Sequence, residues 1–309
     1  MTTSSAVDNA ASTTGPSLWA LVWTAIRPKT LSAAVAPVAV GTGLAFAEHS
    51  LRGLPALAAL AGAVLIQIGT NLANDYYDFV RGADTQERVG PARLAQRGWL
   101  APSQVRAWAF AAFAAAVVVG AYLVSVAGWP ILAVGLLSLV SGYAYTGGRY
   151  PLGYHGLGDV FVFVFFGLVA VSGTLFVQAL HVTVEALVAG AGVGALATAI
   201  LVVNNLRDRE TDAKSGKRTL AVRWGVSATR AEYVAMLGLA AVAAVALALQ
   251  MSHSGPLLGL LAMPLAKRPL QRVLHLGGAA LNPALGETAR LLFAYSLLLS
   301  LGCVFGGLA

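Results

Sequence analysis

The chain has 309 residues, of which 58% are hydrophobic and 11% charged, with a formal charge of +7 and a single cysteine. That is too apolar for a soluble domain, and apolar runs of about twenty residues, long enough to cross a bilayer, recur along its length. Cys303 alone excludes an intramolecular disulfide and a cysteine metal cluster. The basic excess reads as membrane topology and not as nucleic-acid binding, because Lys and Arg concentrate in cytoplasmic loops.

Residues 1–16 are rich in Ser, Thr and Ala and lack a basic segment before an apolar core. They read as a disordered tail ahead of one domain over 17–309. Leu18–Ile26 is a short apolar lead-in, stopped by Arg27-Pro-Lys-Thr30. Spans are expected over 31–47 and 55–79, followed by a polar connector over 81–102 that is long enough for a short helix above the site. A third span starts at an N-cap, Ser103, and runs to 127; Gly128-Trp-Pro130 turns the chain into a fourth ending near Tyr145. Residues 146–158, dense in Gly and Pro, form a loop. The fifth and sixth spans cover 159–180 and 183–204. A second connector, 206–226, carries six basic residues. Ser227 and the capping pair Thr229 and Glu232 open the seventh span, which ends at Gln250. A short eighth over 256–266, a connector over 267–286 and a ninth to the end complete an all-α membrane bundle of about nine helices. With a cytoplasmic N-terminus, every one of the 20 Lys and Arg except Arg52 lies on the cytoplasmic side, which sets the orientation.

Two stretches carry the chemistry. Asn71, Asp75 and Asp78 lie at i, i+4 and i+7, and Asn205, Asp208 and Asp212 at i, i+3 and i+7, so each set shares a helix face. Each closes an apolar run, and both runs head for the cytoplasm, so the two sets reach the same membrane face. A single Asp at a helix end is ordinarily a cap or a solvated terminus. Two matched sets, both at helix C-termini where the dipole disfavours anions, instead call for a cation between them. Hard carboxylate and amide oxygens suit Mg²⁺, which takes a few carboxylates together with substrate phosphate oxygens. The implied substrate is a lipid diphosphate, its head at the interface and its tail among apolar helices. Arg207, Arg209, Lys214, Lys217, Arg218 and Arg223 offer countercharge for the head.

Other features have plainer readings. Arg81, Arg88, Arg223 and Lys267 serve as topology signals, and His49, His181, His253 and His275 have no assigned role. Gly190-Ala-Gly-Val-Gly194 reads as close helix packing, and Phe161, Phe163, Phe165 and Phe166 as packing or lipid-facing residues. No Walker A loop, dinucleotide fingerprint or HExxH pattern occurs.

Asn74-Asp-Tyr-Tyr-Asp78 with Gly82-Ala-Asp84 and Arg88-Val-Gly-Pro91 resembles the first motif of the UbiA-type intramembrane prenyltransferases. Asn205-Leu-Arg-Asp208, Thr211-Asp212 and Gly216-Lys-Arg-Thr-Leu220 resemble the second. Tyr145-Thr-Gly-Gly148, Pro151-Leu-Gly-Tyr154, Gly156-Leu-Gly-Asp159, Gly173-Thr174 and Leu281-Asn-Pro283 are similar to the MenA branch, as is the six-residue step from Asp78 to Asp84. The resemblance runs from about Arg27 to the C-terminus. It implies Mg²⁺-dependent transfer of a prenyl group from a prenyl diphosphate to 1,4-dihydroxy-2-naphthoate, with loss of carbon dioxide, giving demethylmenaquinone. In that scheme Asp75, Asp78, Asp208 and Asp212 hold the metal. Asn71, Asn74, Asn205, Lys214, Lys217 and Arg218 bind the diphosphate. Tyr76, Tyr143 and Tyr145 face the allylic cation, and Asp84, Arg149 and His155 meet the acceptor. Two alternatives stay open. One is another acceptor, such as 4-hydroxybenzoate, haem or a chlorophyll precursor; the other is a cation-coupled transporter, which would carry its acids near the midplane on broken helices.

Overall fold

Each apolar run becomes a helix because a membrane offers the backbone no other partner. The computed structural model describes residues 16–84 and 89–306, and among these it contains helices and turns with no strand. Helix α1, Leu18–Ile26, starts at Ser17, whose hydroxyl accepts from the Ala20 N–H at 3.2 Å. Arg27 then reverses the chain in the left-handed region (φ 50°), and α2, Pro28–Ala47, begins with proline in its first turn. Helices α3 (Gly53–Val80), α4 (Pro102–Ala127) and α5 (Trp129–Ala144) follow. Helix α6 (Gly158–Val162) passes through the π-helical turn Phe163–Val169 into α7 (Ala170–Ala179). Next come α8 (Val184–Lys214) and α9 (Leu220–Gln250). A 3-10 segment (Gly255–Ala266), α10 (Lys267–His275), a 3-10 turn (Gly278–Leu281) and α11 (Asn282–Gly306) end the described chain.

Helix α8 is the central post, buried along most of its length and packed by α9, α11, α2 and the π turn. Close approach needs its glycines, as the sequence suggests. A Cβ on Gly167 of the π turn would stand 2.5 Å from the Gly190 carbonyl and 2.6 Å from Gly194 Cα. Helices α9 and α11 are pinned by two buried phenols. Tyr295 donates to the Ala240 carbonyl at 2.8 Å, and Tyr233 shares a 2.9 Å bond with Thr288.

Among the described residues, seven helices are long and apolar enough to cross a membrane. Trp129–Ala144 is shorter, at 16 residues. The expected eighth span is the 3-10 segment, whose 12 residues reach about 24 Å at a rise of ~2.0 Å each.

Several expected boundaries move. The N-cap of α4 is Ala101 and not Ser103: Pro102 occupies the first turn, and the Gln104 side chain accepts from the Ala101 N–H at 2.9 Å. Helix α8 does not stop at 204 but continues to Lys214, which leaves only a short turn before α9. That helix opens at Thr219, whose hydroxyl accepts from Val222 at 3.4 Å, and kinks at Gly225 (φ 80°). Gly225 is non-helical, so the long part of the helix resumes at residue 226, one before the expected start, with Thr229 in its first turn donating back to the Gly225 carbonyl at 2.8 Å; Glu232 caps nothing. Helix α11 begins at Asn282 instead of 287. The connector between α3 and α4 carries turns without a helix over its described part. The expected disordered tail, apart from Pro16, and Arg88 lie outside the described residues.

Candidate active site

The last turns of α3 and α8 meet through one lysine. Lys217, in the turn after α8, places its Nζ 2.9 Å from Asp78 Oδ1 and 4.0 Å from Asp212 Oδ1, so both acidic motifs end at one face. Asp78 is 1% exposed and carries two further donors: the Tyr154 hydroxyl at 2.8 Å on Oδ1 and the Arg93 guanidinium at 2.7 Å on Oδ2. Arg93 also reaches Asp84 at 2.5 Å and the Asn74 carbonyl at 3.0 Å. In the second motif Asp208 takes a two-pronged bond from its neighbour Arg207, at 2.8 and 2.6 Å. Arg207 extends to Asn204 (2.7 Å) and Asn282 (3.2 Å), and Asn282 donates to the Val89 carbonyl at 2.9 Å. The charged cluster thus ties α3, α8, α11 and the first connector together.

Burial alone would lower the Arg93 pKa, but Asp78, Asp84 and Asp75 outweigh it and hold it above the usual arginine range, so this cation is permanent. Burial, then the Asp78 charge, pushes Tyr154 well above an ordinary phenol, so it stays a donor. Tyr145, just past α5, is raised by burial first and then by Asp159, Asp78 and Asp212.

The cluster forms the polar end of a cavity of about 1010 Å³. Asn71, Asn74, Asp78, Asn205, Asp208, Asp212, Lys217 and Tyr145 line it, among the residues singled out in sequence. Arg93, Arg207 and Tyr154 join them, and the rest is apolar wall: Pro37, Ile66, Leu123, Ile131, Leu139, Phe161, Phe165 and Phe166.

The other expected residues stand elsewhere. Asp75 turns away from the cavity, its carboxylate accepting from the Leu94 N–H at 2.8 Å and the Ala95 N–H at 3.4 Å. Asp84 sits behind Arg93. Lys214, Arg218 and Arg149 are exposed and off the cavity wall. The His155 ring stacks on Tyr150 at 3.5 Å, with Nδ1 2.9 Å from the Pro151 carbonyl. Tyr76 and Tyr143 line a separate small hollow with Arg106 and Phe110. Sequence reasoning passed over Arg93, a connector residue resembling any topology-setting arginine. Tyr154 was visible only as part of a loop motif.

The lining fits a hard cation: three carboxylates and several amide oxygens, with no Cys or His. Among the described residues no three Asp, Glu, His or Cys side chains converge to hold an ion alone.

Fold and site together define a membrane-embedded prenyltransferase: residues 34–276 match the UbiA prenyltransferase family, and the chain belongs to it. It is 41% identical over 284 residues to the 1,4-dihydroxy-2-naphthoate octaprenyltransferase of Mycobacterium tuberculosis, covering 92% of this chain and 96% of that one. The protein of the same name from Escherichia coli is 38% identical over 286 residues, covering 90% and 92%. The family and the MenA branch expected from the motifs are therefore those of its relatives. Among solved structures, a UbiA homolog from Archaeoglobus fulgidus bound to DMAPP and Mg²⁺ superposes with a TM-score of 0.62 at 15% identity, over 91% of this chain and 99% of that one. The apo UbiA homolog from Aeropyrum pernix K1 gives 0.64 at 15% identity, over 91% and 98%. At that identity the likeness shows the shared fold.

Proposed function

We propose that the protein transfers a prenyl group from a prenyl diphosphate to 1,4-dihydroxy-2-naphthoate, with loss of carbon dioxide, giving demethylmenaquinone. The observation that carries the reading is one cavity of about 1010 Å³, charged at one end and apolar beyond, with Lys217 joining the two acidic motifs at its charged end. The naming of the relatives supports the acceptor. The enzyme crosses the cell membrane nine times, counting Trp129–Ala144 and the 3-10 segment, with its N-terminus and charged end cytoplasmic.

Asp78, Asp208 and Asp212, with Asn74 and Asn205, would hold Mg²⁺ beside the diphosphate, where it would supply positive charge to offset the leaving group, and Asp75 supports them by fixing the connector that carries Arg93. Lys217, Arg93 and Arg207 are aimed at the same charge, in place before it develops. Tyr145 presents an aromatic face to the allylic cation, and the apolar wall keeps water from trapping it. The acids sit in the last turns of their helices, where a head group at the interface meets them and a midplane transport site does not. Chelation should abolish prenyl transfer and added Mg²⁺ restore it; a rate unchanged by chelation would overturn the reading.

A further inference from the structure

The residues expected to meet the acceptor, Asp84, Arg149 and His155, lie off the cavity wall, so its recognition must come from side chains that line it. A neutral polar chain runs along the wall from Arg27 toward the apolar end. Thr30 gives its hydroxyl proton to the Arg27 carbonyl at 3.0 Å. Its oxygen therefore accepts from Asn71 Nδ2, at 3.0 Å. Asn71 Oδ1 in turn accepts from Gln67 Nε2, at 3.2 Å. The direction is fixed from the carbonyl end, because a carbonyl only accepts. What remains is Gln67 Oε1, buried and without a partner, on a side chain 7% exposed in the cavity wall.

We infer that Gln67 is a specificity-determining residue for the acceptor, its Oε1 taking a hydrogen bond from a ring hydroxyl. A buried carbonyl left unpaired is costly, and it can be satisfied only by a donor. The isoprenoid has none, and an ionised diphosphate is acceptor-only. A dihydroxylated ring carries two. The spacing agrees: Gln67 lies eleven residues before Asp78 on α3, about 16 Å along the helix at ~1.5 Å per residue. A diphosphate, its reacting carbon and a two-ring acceptor fill that length in series. The inference rests on the proposed function, which supplies the hydroxylated acceptor.

The test is steady-state kinetics of Gln67→Met, which keeps the volume and removes the acceptor oxygen. The acceptor KM should rise about tenfold, the size of one neutral hydrogen bond, while the prenyl diphosphate KM changes less than twofold. With two monodeoxy analogues of dihydroxynaphthoate, wild type should lose about tenfold or more for one hydroxyl, and Gln67→Met should lose that discrimination. An unchanged acceptor KM, an equal rise in both KM values, or the same discrimination in the variant overturns the assignment. Should Gln67→Met fail to fold, the analogue series on wild type decides: indifference to both hydroxyls overturns it. If wild type prenylates no hydroxylated aromatic acid at all, the proposed function fails instead.

Discussion

Lys217→Met separates one lysine from two basic residues that look equivalent in sequence. Lys217 is 2.9 Å from Asp78 Oδ1 with a side chain 15% exposed, whereas Lys214 and Arg218 are exposed and off the cavity wall. After the change Asp78 keeps its bonds to Tyr154 (2.8 Å) and Arg93 (2.7 Å). The carboxylate is therefore not stranded, and the fold should lose only about 1 kcal/mol. Catalysis should suffer more. Removing one donor aimed at developing charge costs about 10²–10³ in kcat, roughly 3–4 kcal/mol of barrier. Lys217→Arg keeps the charge and should recover part of the loss, while Lys214→Met and Arg218→Met should stay within about threefold of wild type. Initial rates on detergent-purified protein, with thermal unfolding as the control, measure all four. If Lys214→Met were as damaging as Lys217→Met, the assignment of the diphosphate end would be wrong.

Asp78→Asn and Asp208→Asn should each abolish turnover while the protein inserts and purifies normally. Asp75→Asn should act on the connector instead, and limited proteolysis or hydrogen exchange near Leu94 and Ala95 should report its loosening beyond the wild-type level. Because the Tyr154 pKa is raised above the unfolded value of 10.0, its contribution is complete below pH 10 and fades as pH climbs from there toward the folded value; Tyr154→Phe should flatten the alkaline loss of stability. For topology, cysteines at Ser215 and Ser254 in a Cys303→Ala background should react with impermeant reagents from opposite sides, the first cytoplasmic. Labelling of both from one side would sink the nine-span arrangement.

Much of this site is legible in sequence because spacing decides it. Asp78, Asp208 and Asp212 fall on cavity-facing helix positions once both apolar runs are read as helices ending at one face. The harder features depend on chain trajectory. Residues 205–214 are polar and look like connector, yet they extend α8, because nothing in Leu206-Arg207-Asp208-Arg209-Glu210 breaks a helix. Asp75 shares the face pattern with Asp78, but a neighbouring loop claims its oxygens, and the loop's path is not written in periodicity. Arg93 becomes a cation of the cavity wall only because the connector folds back over α3 and buries it between Asp78 and Asp84.

The most direct measurement is prenylation by the purified protein with Mg²⁺, using prenyl diphosphates of several lengths against 1,4-dihydroxy-2-naphthoate, 4-hydroxybenzoate and a naphthalene diol lacking the carboxylate. Dihydroxynaphthoate should be the productive acceptor at several tail lengths, since an apolar wall discriminates weakly among tails while a polar site rejects analogues that leave its groups unpaired, and the product should have lost the carboxylate. Faster turnover of 4-hydroxybenzoate would contradict the acceptor, and no prenylated product with any pair would contradict the function itself.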